Sequence, residues 1–493
     1  MSLRDYQQLA IDMIRAEFAK GFKRVLLVMP TGAGKTVVFC EMVKETVKRN
    51  KRATITVRGR KLVDQASKRL FREHTAHGVM MAKHWNYRPH HAVQVCSIDT
   101  VKSREILVPA DLRIIDEAHL FNSDDDKEYL AKQDDVYTVA VTATPYVPKG
   151  LRHLGDVMVR PITMDQLIER GYLVSGKYYA PSEPDLRRVK VRKGDFVNDE
   201  LEAAMVKGTL TGDIISHWKK LGQDRPTILF AVNIHHSKLL VERFKSEGIS
   251  VEHCDADSPD GERDKVIQRL ENGKTKIVCN VGIFCTGVDI PPLSCIIGAR
   301  PTKSKNLFIQ QYGRVTRPMY APGFDIHSDQ GRIAAIAASE KPYGIYLDHA
   351  GNIKRHGFPT FEPEVDLDGR ITSDHTAMES KICRECFAVY RGKVCPGCGV
   401  APAQPVPKQI IEGAGDLREI TASQERDPAK AWMAILMEQR NGRKMGWVYH
   451  KLIEKMGREK CGHLLPDWFK ATIGESVSLE ENPFAASPFR GGV

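Results

Sequence analysis

The chain has 493 residues, more than one hydrophobic core usually supports, so length alone points to about three domains. Apolar residues make up 42% and charged residues 27%, which places it among globular proteins and excludes a disordered or fibrous chain. A formal charge of +11 with a pI near 9.0 favours a polyanionic partner, nucleic acid first.

The amino terminus, "MSLRDYQQLAIDMIRAEF", carries Arg4, Asp5 and Asp12 and has no apolar core segment, so it does not read as a signal peptide. No run of 18 apolar residues follows, which excludes a membrane-spanning helix and leaves a cytoplasmic location as the expectation. From Arg24 onward, short β-rich runs alternate with amphipathic stretches: "RVLLVM", "KTVVFCEMVKETVKR", "ATITV", "RKLVDQASKRLF", "AVQVCSI", "LRIID" and "VYTVAVT". Such alternation predicts βαβ units and a parallel sheet covered by helices.

"MPTGAGKT" falls between the strand 24 to 29 and the helix starting at Lys35, the context a phosphate-binding loop needs. Gly32 and Gly34 let backbone N–H groups approach phosphate oxygens, and the helix N-terminus adds a favourable dipole. Lys35 is expected to reach the β and γ phosphates and Thr36 to offer its hydroxyl to Mg²⁺. Met29 stands where the general pattern has its first glycine. "LRIIDEAH" ends a buried strand in two carboxylates: Asp116 for Mg²⁺, directly or through water, and Glu117 to orient or deprotonate the attacking water.

A second α/β series begins after "ITMDQLIERGYLV": "TILFAV", a helix over 234 to 247, "ISVEHC", a helix over 260 to 272, "KIVCNV", "LSCIIGA" and "GIYLD". Past His356 the pattern stops, and the polar, Pro-containing 357–380 reads as linker. "CRECFAVYRGKVCPGC" then spaces Cys383, Cys386, Cys395 and Cys398 as C-x₂-C, eight residues, C-x₂-C, which can close a tetrahedral thiolate shell around Zn²⁺. Lys381, Arg384, Arg391 and Lys393, with Phe387 and Tyr390, give this module either a nucleic-acid grip or simply a staple for a domain without its own core. The other seven cysteines are scattered and read as buried thiols of a reducing compartment. Residues 401–493 open with a Pro-rich linker and show helical periodicity at "AKAWMAILMEQR" and "GWVYHKLIEKMG".

In combination these residues resemble the superfamily 2 helicases of the DEAH type over roughly the first 350 positions. "RDYQQ", "PTGAGKT", "DEAH", "VTATP", "GIFCTGVDIP" and "QQYGRVTR" occur in that family's order. "IERGYLV", "RPTKSKNLFIQQYGRVTRP", "LDHAGN" and the four cysteines resemble the bacterial RadD-type repair helicases and their phage relatives. The fold implied is α/β: two tandem RecA-like parallel-sheet domains (1–160 and 161–356), the linker 357–380, a zinc module 381–400, and a linker with helical tail 401–493.

The resemblance implies ATP and Mg²⁺ as cofactors, with Gln7 reading the base and Thr31, Gly32, Ala33, Gly34, Lys35, Thr36, Asp116, Gly287 and Asp289 around the nucleotide. It makes Lys35, Asp116, Glu117, Arg314 and Arg317 the catalytic set, the two arginines supplying charge to the γ-phosphate from the second domain. His119, Thr142, Thr144 and Gln310 would couple hydrolysis to domain movement, and Arg58, Arg60, Ser97, Thr100 and Thr286 would touch nucleic acid, mostly at phosphates. The function expected is an ATP-dependent helicase or translocase acting on DNA in replication, recombination or repair of a bacterial or phage-infected cell, with protein partners of those processes. An RNA helicase, an ATP-switched binding protein that does not unwind, and the translocating partner of a restriction system remain as alternatives.

Overall fold

The computed structural model describes residues 3–180, 184–192, 194–206, 214–285, 289–372, 381–383, 385–390, 392 and 394–400. Thr286, Gly287 and the expected tail helices of 401–493 lie outside the described residues. Everything described belongs to one compact unit, Met1–Ala403.

The first domain begins with helix α1 (Asp5–Ala19) and strand β1 (Arg24–Val28), followed by α2 (Lys35–Lys48), β2 (Ala53–Val57) and α3 (Arg60–Arg72). It continues with β3 (Gly78–Met80), β4 (Val93–Ser97), α4 (Ile98–Ser103), β5 (Leu112–Asp116), α5 (Asp124–Ala131), β6 (Tyr137–Thr142) and β7 (Val157–Val159). All seven strands are parallel, in the order β3-β4-β2-β5-β6-β1-β7. The continuous apolar runs are the reason: β1, β2, β5 and β6 are buried on both faces, which suits central parallel strands under helices. The order sets β5, β6 and β1 side by side, so the loops leaving their C-terminal ends open into one crevice, where open α/β sheets bind ligands.

The second domain places β8 (Gly176–Tyr179), β11 (Thr227–Phe230), β12 (Val251–Cys254), β13 (Ile277–Asn280), β14 (Cys295–Gly298) and β15 (Gly344–Asp348) in a six-stranded parallel sheet ordered β12-β13-β11-β14-β15-β8. A two-stranded ribbon, β9 (Val191–Arg192) with β10 (Asp195–Phe196), stands apart from it. Both domains are thus RecA-like parallel-sheet domains. The strands β3, β7 and β8 were not legible in the sequence: each is short, and β8 joins its sheet only at the edge, beside β15.

The polar stretch after His356 is not loose chain. Glu362 Oε2 accepts the Met164 N–H (3.0 Å), the Leu151 N–H reaches the Leu367 carbonyl (2.7 Å), and Arg152 pairs with Asp368 (2.6 Å). Leu367 is buried in the first domain's apolar cluster, so residues 358–368 form a strap from the second domain back onto the first. The cysteine module follows as a hairpin of β16 (Lys381–Ile382) and β17 (Val389–Tyr390), which meets the edge strand β8 through a Tyr179–Ala388 bridge and an Ala180 N–H to Phe387 carbonyl bond of 3.1 Å.

Candidate active site

The phosphate loop leaves β1 and turns into α2 through Gly34, whose φ of +82° is left-handed. A methyl group there would sit 2.5 Å from Gln7 Nε2, so the loop is packed from behind as well as bent. Gln7 donates from Nε2 to the Ala33 carbonyl (3.1 Å) and accepts the Arg4 N–H at Oε1 (3.0 Å), and Tyr6 Oη also donates to the Ala33 carbonyl (3.0 Å). The Gln7 amide thus braces the loop with one of its two N–H groups and one of its two acceptor lone pairs, which leaves the other of each for a ligand. Tyr6 was not picked out from the sequence, although its place beside Gln7 in "RDYQQ" was the available signal.

Lys35, Thr36, Asp116 and Glu117 line a cavity of about 470 Å³ together with Thr31, Gly32 and Gly34. Burial holds Lys35 below the ordinary lysine range, with Glu117 and Asp116 opposing the shift. Burial, followed by repulsion from Glu117, pushes the Asp116 carboxyl up to about 7. Two adjacent carboxyls desolvated beside phosphate-binding backbone fit a divalent cation, which would relieve this repulsion. Glu117 has φ 50° and ψ 50°, a left-handed conformation uncommon for a residue with a side chain, and strain of this kind gathers at functional turns. The Asp116 carboxylate accepts the Glu117 N–H (2.9 Å), holding the turn.

The opposite wall comes from the second domain. The "QQYGRVTRP" segment does not continue as a helix: the helix Lys305–Tyr312 closes with the Gly313 N–H on the Ile309 carbonyl (2.8 Å), and Arg314 to Arg317 follow in a tight turn before Pro318. Arg314 is buried, its Nε donates to the Gln310 carbonyl (3.2 Å), and burial plus the neighbouring Arg317 pushes its pKa down to about 10, which leaves it cationic at neutral pH. Arg317 lies over the phosphate loop, where a methyl on Gly32 would meet its Nη1 at 3.4 Å, and pairs with Asp289 at 3.2 Å. Asp289, Gln310, Arg314 and Arg317 all line the same cavity as Lys35 and Glu117. The two domains meet closely here, because a methyl on Gly313 would lie 2.6 Å from Thr31 Cγ2.

A polar chain joins the walls. Gln310 Nε2 lies 3.1 Å from His119 Nε2, and His119 Nδ1 lies 3.0 Å from Thr142 Oγ1. With the glutamine amide as donor, His119 Nε2 accepts and Nδ1–H donates to Thr142, so the histidine is the neutral tautomer. Burial lowers its pKa and favours that neutral form. Thr142 Oγ1 also accepts the Thr144 N–H (3.0 Å), and His119 Nδ1 is 3.5 Å from Glu117 Oε2. One histidine thus touches the second domain, the β6 end and the acidic turn.

The residues expected at nucleic acid are divided. Arg58, still partly exposed, is held by Asp126, a fully buried carboxylate (2.6 Å) that also takes Lys102 (2.9 Å). Arg60 donates to the Ala82 carbonyl (3.5 Å) and Thr100 Oγ1 accepts the Ala82 N–H (3.4 Å), while Ser97 ends β4 beside them. Lys61, next to Arg60 in the sequence, crosses to the Ile283 carbonyl of the second domain (2.9 Å) and was missed.

Far along the chain, Cys383, Cys386, Cys395 and Cys398 gather their sulfurs within 4.8 Å of one another, and none is in a disulfide. Cys383 and Cys398 are 3.5 Å apart and Cys386 and Cys395 3.6 Å, close to the edge of about 3.8 Å expected for a tetrahedron with 2.3 Å metal–sulfur bonds. The donor set fits a soft or borderline metal ion.

Two family models match the chain: "Type III restriction enzyme, res subunit" over residues 1–147 and "Helicase conserved C-terminal domain" over 210–319. A 51.5 kDa protein of a Lactococcus phage is 27% identical over 379 residues, covering 75% of this chain and 76% of that protein. The putative ATP-dependent helicase IRC3 of Saccharomyces cerevisiae is 30% identical over 345 residues, covering 64% of this chain and 49% of the yeast protein, so the chain spans about half of that relative. Among solved structures, a fragment of a putative HsdR subunit of a type I restriction enzyme from Vibrio vulnificus superposes with a TM-score of 0.54 at 18% identity, covering 75% of this chain and 67% of the fragment.

Proposed function

We propose that this chain, a superfamily 2 helicase by its paired domains, is an ATP-driven motor that moves along nucleic acid, DNA in the first place, in replication, recombination or repair. The observation that carries this is the cleft itself: a phosphate loop and two carboxylates on one wall, two arginines on the other, and the Gln310–His119–Thr142 chain between them. The narrower likeness to RadD-type repair helicases, and work in the cytoplasm of a bacterial or phage-infected cell, belong to the same proposal. The phage relative supports the setting, and no described helix is long and apolar enough to cross a membrane.

In this reading the loop N–H groups and Lys35 hold the β and γ phosphates of ATP. Mg²⁺, held by Thr36 and Asp116, would neutralise phosphate charge. Glu117 takes the proton of a water whose oxygen bonds to the γ-phosphorus while the bond to the β–γ bridging oxygen breaks, releasing ADP and phosphate. Arg314 and Arg317 stabilise the charge on the transferred group, which they reach only when the domains are together. Loss of that charge loosens the second wall, and the His119 chain passes the change to the β6 end. Arg60, Ser97 and Thr100 form the phosphate-contacting edge of the first domain, while Arg58 is held by Asp126. The four cysteines hold one structural Zn²⁺, which elemental analysis should find at about one per chain.

ATP turnover measured across single-stranded DNA, forked DNA and RNA tests the reading. Strong stimulation by DNA and displacement of a strand from forked DNA are expected; stimulation by RNA alone would remove the DNA assignment, and turnover without displacement would leave a nucleotide-switched binder. Glu117→Gln should abolish turnover, by about 10³-fold, with ATP binding kept. A second reading, the motor of a restriction system working with a separate nuclease, is favoured by the matched "res subunit" model, and translocation without strand separation would support it.

A further inference from the structure

Between β3 and β4 the chain makes an excursion, "MAKHWNYRPHH", that none of the helicase motifs uses. It leaves the C-terminal end of β3 at Ala82, the residue bridged by Arg60 and Thr100, and runs back along the β3 edge, where the Val79 N–H donates to the Asn86 carbonyl (2.9 Å). Its side chains alternate. His84 and Asn86 point inward: His84 Nε2 lies 3.2 Å from Asp64 Oδ1, its Nδ1 accepts the Asn86 N–H (3.1 Å), and Asn86 Nδ2 donates to the His77 carbonyl (3.2 Å). Trp85 and Tyr87 point outward and are 75% and 56% exposed.

An indole this exposed gains nothing from burial, yet the inward residues pin it in place. Trp85 is stacked on Phe71 of α3, with centroids 5.7 Å apart and planes at 12°, and leans on the ring of His84 at 5.7 Å and 27°, while Phe71 is itself 46% exposed. From His74 to Ile98 the sequence contains no aspartate or glutamate, while Lys83 and Arg88 flank the aromatic pair. A fixed, exposed ring flanked by Lys83 and Arg88, with the nearby Asp64 carboxylate held by His84 and the Arg60 and Thr100 edge three residues away at Ala82, has the chemistry of a base-stacking platform: aromatic faces take bases of any sequence while cations hold the backbone.

We propose that Trp85, backed by Phe71, stacks a base of single-stranded nucleic acid where the strand passes the edge of the first domain. This rests on the nucleic-acid motor reading above and adds a contact that reads the base rather than the phosphate. The test measures binding of a labelled oligothymidylate, an oligouridylate and an abasic oligonucleotide of equal length to the wild-type chain, Trp85→Ala and Trp85→Phe, with thermal melting to show that each variant is folded. Trp85→Ala should weaken binding of the two base-bearing strands roughly tenfold, Trp85→Phe should recover most of the loss, and the abasic strand should bind all three proteins alike. Equal oligothymidylate binding by wild type and Trp85→Ala would overturn the platform and leave the patch as a protein-docking surface. An equal loss on the abasic strand would overturn it in favour of a backbone effect. A wild-type chain that binds none of the three strands would instead overturn the motor reading itself.

Discussion

The two walls of the cleft are made of similar sheets but reach the nucleotide by different routes. On the first wall the groups arrive from three adjacent strand ends: the phosphate loop after β1, the acidic pair after β5 and the Thr142–Thr144 turn after β6. The second wall contributes mainly one helix end, where Gln310, Gly313, Arg314 and Arg317 follow one another within eight residues. The first wall is complete as a fold; the second acquires its chemistry only by contact. Both walls carry a desolvated group, Asp116 on the first and Arg314 on the second, but only the first adds a strained turn at Glu117, whereas the worth of Arg314 depends on its distance from the other wall.

Breaking the second wall at its charge should have the largest effect. Arg314→Ala removes a buried cation from the cavity, and kcat for ATP is expected to fall about 10³-fold with ATP binding kept, as steady-state kinetics and nucleotide titration would show. Gly313→Ala tests distance alone: Gly313 has φ −57°, which alanine adopts freely, but the added methyl would press on Thr31 across the interface. Turnover should drop about tenfold while the melting temperature hardly moves, since the overpacking lies between domains and not within one. A milder change, Gln310→Leu, cuts the polar chain at His119 and should lower the stimulation by nucleic acid a few-fold, roughly 3-fold, more than the unstimulated rate.

The smallest effect tests the first wall. The fold raises the Asp116 carboxyl to about 7, so its contribution to stability is present below the ordinary carboxylate range and is lost as pH rises through about 7. Asp116→Asn, neutral at every pH, should therefore melt about 3 °C above wild type at pH 8 without nucleotide, with the gap narrowing toward pH 5, while turnover is lost. A variant that melts lower at pH 8 would show that Asp116 is satisfied without a cation, contrary to the picture of a carboxyl waiting for one.

Much of the first wall was legible in the chain because its motifs are local: a strand, a glycine-bearing turn and a helix start lie within a dozen residues. The cysteine quartet was legible for the same reason, since ligand spacing is itself the geometry of a knuckle. Other features were not. Arg58 was expected at nucleic acid, and its pair with Asp126, 68 residues away, is one that no periodicity reveals. Residues 358–368 read as linker because they are polar and contain proline, yet a few bonds and Leu367 dock them on the first domain. Trp85 lay in a stretch that none of the helicase motifs covers.

By itself, then, the sequence determined the two parallel sheets, the phosphate loop, the acidic strand end and the four-thiol cluster, because each follows from short-range pattern: apolar runs, backbone freedom at glycine, and ligand spacing. Only the tertiary structure decided that His119 meets Gln310, that Gly313 lies against Thr31, that Arg58 pairs with the buried Asp126 and that Trp85 is held outward on Phe71. These depend on how two separately formed sheets dock and on which side chains compete for a buried partner. Both are settled by packing and desolvation across long sequence separations, where no local spacing rule applies.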